Sequence, residues 1–166
     1  FLHVSTGTWS LLLALNAAVV ALLGYPVVRA TRNVDRMLLL SVSSVFIAVG
    51  LGGTAVAQPG WQLFALVVVL SLGEVLLGPV AAAIVSDLAP EAIRGRYNGG
   101  WTIVWNGGAS LGVLFCGWSM QTIGGRETFG IVFFVGFAGA ALFLLLRGRV
   151  VPRAAGARDA AAVEAE

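Results

Sequence analysis

The chain has 166 residues, of which 58% are hydrophobic and only 11% charged, and its mean hydropathy is +0.93. A soluble domain carries roughly 25% charged residues, so a water-soluble core is excluded. Ten basic against eight acidic residues leave a formal charge of +2, and no polybasic run with interleaved aromatics lies outside the apolar stretches, which excludes nucleic acid as a partner.

Five apolar stretches follow in chain order, at about 9–28, 37–57, 62–86, 99–120 and 128–146. Each approaches the ~20 residues that a helix rising ~1.5 Å per residue needs to cross a bilayer. The pattern predicts an all-α, polytopic membrane bundle over residues 1–150 and a low-complexity, disordered cytoplasmic tail over 151–166. The chain opens on Phe1 rather than Met, and its first stretch has no preceding basic region or small-residue cleavage site. That stretch therefore reads as a true span rather than a signal peptide, and the chain is expected to continue a longer protein. His3 has no His, Cys or carboxylate neighbour and Cys116 is the single cysteine, so neither a metal nor a disulfide is expected.

The first span carries Asn16, a polar side chain at membrane depth. In the second, Ser41, Ser44, Ala48 and Gly52 recur at helical spacing, the small-residue stripe that helices use to approach one another in lipid. The third holds the one acidic residue deep in a span, Glu74, on the same helical face as Ser71, Gly78 and Ala81. A charge at the centre of a membrane helix costs about 2.5 kcal/mol or more, so Glu74 is expected to face the bundle interior or a wet cavity. It is either a proton-exchange site or a structural carboxyl joining two helices, since desolvation alone favours the protonated form. Gly78-Pro79 predicts a bend just beyond it.

The fourth span shows two adjacent stripes: Tyr97, Trp101 and Trp105, beside Asn98, Thr102, Asn106 and Ser110. These residues either line an aqueous pathway, with the indoles as stacking area for an organic solute, or bond neighbouring helices. Gly108 and Gly112 form a small-xxx-small pair expected to seat another helix. The phenylalanines of the last span, from Phe129 to Phe143, read as lipid-facing or packed. No phosphate loop, nucleophile elbow or zinc-protease signature is present, and neither an enzyme nor a cofactor is expected.

The arginines set the expected orientation. Nine fall in the connections around 28–37 and 87–98 and in the tail beyond 146, and only Arg126 falls in the other connections. The positive-inside rule then places the amino end outside and the carboxy terminus in the cytoplasm of a multi-pass plasma-membrane protein. Trp9, Trp61 and Trp118 fall near the outer interface, as an aromatic belt requires.

Gly73-Glu74 with Gly78-Pro79, followed by Asp87-Leu88-Ala89-Pro90 and Arg94-Gly95-Arg96-Tyr97-Asn98-Gly99, resembles the tenth and eleventh helices of major facilitator superfamily transporters, in particular the drug-efflux-type proton antiporters. On that resemblance the five spans correspond to helices eight to twelve. Asp35-Arg36 matches the Asp-Arg of the family's loop between helices eight and nine, although Thr31 stands where the family has Gly. The resemblance implies a secondary transporter working by alternating access, with a small-molecule substrate, protons, the lipid bilayer and the missing N-terminal half of the same protein as partners. Glu74 is then the proton-coupling candidate. Asn16, Ser71, Trp101, Thr102, Trp105 and Asn106 are the substrate-cavity candidates, and Asp35, Arg36, Asp87 and Arg94 the cytoplasmic gate, with Asp87 and Arg94 expected to form a latch. The rival reading is a non-transporting membrane scaffold or sensor whose buried polar residues only pack helices.

Overall fold

The computed structural model describes residues 4–90 and 93–164. Among them are five long helices, α1 (Thr6–Thr31), α2 (Arg36–Gly52), α3 (Trp61–Leu88), α4 (Arg94–Thr122) and α5 (Gly125–Glu164), with a short 3-10 turn at Gly53–Ala55. The helix boundaries lie close to the expected spans, and the fold is all-helical.

Local chemistry explains where the helices start and stop. Ser5 caps α1 by accepting from the Thr8 N–H at 3.2 Å. Asp35 caps α2, and Gln62 reaches back to accept from the Gln58 N–H at 2.7 Å at the head of α3. Gly60 and Gly124 turn the chain with φ of +126° and +105°, a region that glycine enters without a Cβ penalty. A Cβ on Gly124 would also meet Glu127 Oε2 at 2.6 Å.

Four helices are long and apolar enough to cross a membrane: Thr6–Thr31, Arg36–Ala55, Trp61–Leu88 and Gly125–Gly148. The fifth, α4, has 29 residues, but its glycines, asparagines and indoles lower its mean hydropathy. Sequence inspection counts it as a span by length and position, and its composition is that of a helix with a polar side.

The centre of the bundle is α2, packed against both α3 and α5, with α1 against α3. In lipid the hydrophobic effect does not drive helices together, so close backbone approach does that work. Facing α5, Ser41 donates to the Ala140 carbonyl at 3.0 Å, fully buried Ala48 meets Gly136, and Gly52 meets Phe133. Of the Ser41, Ser44, Ala48 and Gly52 stripe that sequence spacing predicts, Ser41, Ala48 and Gly52 make these contacts. Facing α3, fully buried Ser43 donates to the Gly73 carbonyl at 2.8 Å, and Gly50 lies so close to Leu70 that a Cβ would come within 2.7 Å of its backbone. Met37, Leu39, Leu40, Leu76, Val80 and Ala81 close the bundle at the end where α2 begins, with Trp101 and Phe143 packed on them.

One expectation is corrected. Gly108 and Gly112 seat no helix among the described residues; a Cβ on either would enter open space, and of α4 only Ser119 is buried. The reason is that α4 lies at the rim of the bundle. Beyond residue 150, α5 runs on as helix to Glu164, in keeping with the many alanines there.

Candidate functional site

Asn16 of α1 reaches α3 at the level where Ser71 and Glu74 sit one helical turn apart. Its Nδ2 group donates to Ser71 Oγ at 3.0 Å and to Glu74 Oε2 at 2.7 Å. Ser71, fully buried, donates its own proton to the Val67 carbonyl at 2.7 Å, which leaves its oxygen free to accept from Asn16. Ser71 and Glu74, expected on one helical face, thus form with Asn16 one hydrogen-bonded triad joining α1 to α3. Glu74 itself is exposed on the bundle surface rather than enclosed by the described helices. Pro26 lies inside α1 and Pro79 inside α3, five residues beyond Glu74, where it leaves the Val75 carbonyl without its helical donor.

The α4 candidates form a separate group. Trp101 and Trp105 lie with ring centroids 5.6 Å apart, tilted by 39°; Trp101 rests on the apolar cluster while Trp105 is 46% exposed. Thr102 donates to the Asn98 carbonyl at 2.9 Å and Asn106 to the Thr102 carbonyl at 2.8 Å. Each of these side chains bonds within its own helix, and among the described residues neither bonds a neighbouring one. Among the described residues no hydrogen bond joins this group to the Asn16 triad.

At the end where α1 meets α2, charges cross-tie three helices. Arg36 Nη1 pairs with Asp87 Oδ2, linking α2 to α3. Asp35 divides its oxygens: Oδ1 accepts from the Met37 and Leu38 N–H groups at 2.9 and 3.0 Å, and Oδ2 accepts from Arg147 Nε of α5 at 3.1 Å. Burial pushes the Asp35 carboxyl up, but the Leu38 N–H, Arg147 and the Met37 N–H outweigh it and hold the group below the usual carboxylate range. Sequence reading places Asp35, Arg36, Asp87 and Arg94 in one gate; the structure pairs Arg36 with Asp87 and adds Arg147 as the partner of Asp35, which that reading missed. Only the resemblance to a known loop pointed at Asp35-Arg36, and no sequence spacing pointed at Arg147.

Long apolar helices, caps and charges gathered at the helix ends, and small residues at the contacts define a polytopic α-helical membrane protein. Residues 1–165 match the Major Facilitator Superfamily; the chain belongs to that family and is a membrane transporter. No curated protein and no solved structure matches it.

Proposed function

We propose that this chain is the carboxy-terminal portion, helices eight to twelve, of a secondary transporter of the plasma membrane that exports a small organic solute by alternating access in exchange for protons. The observation that carries the proposal is the Asn16–Glu74 contact between α1 and α3. A hydrogen bond to an ionised carboxylate is about twice as strong as one between neutral groups. Protonating Glu74 weakens the tie from Asn16 and lets α1 and α3 shift beside the bends that Pro26 and Pro79 permit. The Trp101 and Trp105 indoles of α4, of which Trp105 is exposed, supply stacking area for the solute, with Thr102 and Asn106 beside them.

Asp35, Arg36, Asp87 and Arg94 belong to the cytoplasmic gate in this reading, and the amino end of the chain faces outside. The missing N-terminal half completes the substrate path. The test is Glu74→Gln in the full-length protein, with labelled solute followed in vesicles with and without a pH gradient. Wild type is expected to respond to the gradient and the variant to lose the response. A variant that keeps it makes Glu74 a structural carboxyl. Wild type with no gradient effect for any solute class supports a scaffold instead.

A further inference from the structure

A cleft of about 200 Å³ opens between α1, α2 and α3 at the arginine-rich end of the bundle. Its floor is apolar, made by Leu76, Pro79, Val80 and Ala83 of α3, with Val28 of α1 and Leu39 of α2 at the sides. Leu76 to Ala83 is seven residues, so the floor runs about 10 Å along the span. Arg32 and Arg36 stand at its mouth. Arg36 is engaged by Asp87, but Arg32, the last residue of α1's cap, is exposed and has no hydrogen bond or ion pair among the described residues.

We propose that this cleft holds one anionic phospholipid, its phosphate at Arg32 and an acyl chain laid along the Leu76 to Ala83 face of α3. Charge selects the headgroup, because an arginine at the membrane surface favours an anionic lipid over a zwitterionic one. Depth selects a lipid over a soluble anion, because an apolar floor offers an inorganic phosphate nothing. Bound there, the lipid wedges α1 away from α3 at the bend of Pro79, one and a half turns from Glu74.

The test uses the full-length protein in vesicles containing phosphatidylglycerol or phosphatidylcholine with a photoreactive group on the acyl chain, and maps the cross-links by peptide mass. Phosphatidylglycerol is expected to label the Leu76 to Ala83 segment roughly fivefold more than phosphatidylcholine, the ratio set by one arginine at an anionic surface. Arg32→Gln is expected to bring that ratio near one, while Arg126→Gln, in the first turn of α5 beside the Gly124 turn, leaves it unchanged. Equal labelling by the two lipids, a ratio unchanged in Arg32→Gln, displacement by soluble glycerol phosphate, or no labelling because another helix of the full-length protein fills the cleft would each overturn the proposal.

Discussion

Asp35 spends both carboxylate oxygens at once, one on the free N–H groups at the head of α2 and one on Arg147 at the far end of the chain. A group held below its ordinary pKa binds fewer protons folded than unfolded. Its stabilisation is therefore present above the unfolded value, about 4, and is lost as pH falls through the folded value. Asp35→Asn separates the two roles, because Asn caps a helix about as well as Asp but carries no charge to lose. Thermal melting of the purified protein is expected to drop between about pH 5 and pH 3, with a shallower slope in the Asn variant. Identical slopes would show that Arg147 contributes nothing through charge. Since the pair is partly exposed, the coupling is expected to be small, about 1 kcal/mol or less.

Between helices, the deciding quantity is how near one backbone comes to another. At Gly50 an added Cβ would lie 2.7 Å from the backbone of Leu70, which cannot rotate away, so Gly50→Ala must push α2 from α3. The expected cost is about 1–3 kcal/mol, read as a lowered melting temperature in detergent. Gly53→Ala is the matched control: its Cβ would meet only Leu66 Cδ2, at 2.6 Å, the far end of a side chain that can turn aside. Its expected cost is under about 1 kcal/mol, and equal losses at the two positions would refute the backbone argument. The spans themselves are legible in sequence because hydropathy and length report on a single helix, and Gly60 and Gly124 mark turns by their own conformational needs. Helical spacing likewise exposes the stripe of Ser41, Ser44, Ala48 and Gly52, three of which meet α5. It did not reveal that α2 has a second contact face at Ser43 and Gly50, since spacing says which residues share a face and not which faces are covered. The triad meets the same limit: spacing joins Glu74 to Ser71, but Asn16 lies 58 residues from Glu74 and nothing local links the two.

At the scale of the whole molecule, the helices sort chemistry to two ends. Arg36 with Asp87 and Asp35 with Arg147 tie α2, α3 and α5 at one end, while the turns at Gly60 and Gly124 lie at the other, with the exposed indoles of Trp9, Trp61 and Trp118. Guanidinium groups stay on the cytoplasmic side during insertion and indoles settle at interfaces, so the proposed orientation predicts which end each probe reaches. In a Cys116→Ser background, single cysteines at Gln58 and Thr122 are expected to react with a membrane-impermeant maleimide on intact cells, and one at Asn33 only after permeabilisation. Reversal of all three would turn the proposed export into import. A divided result, Gln58 outside and Thr122 inside, carries different information, because α4 is the helix whose mean hydropathy falls short of the other four. It would mean that α4 does not cross the bilayer alone and that its polar stripe needs a partner to bring it in. Labelling of both from outside would place Thr102, Asn106 and the Trp101–Trp105 pair at membrane depth, the two polar side chains bonded, among the described residues, only within their own helix. Polar side chains in that position are tolerated where they border water or protein rather than lipid, the setting a solute pathway provides.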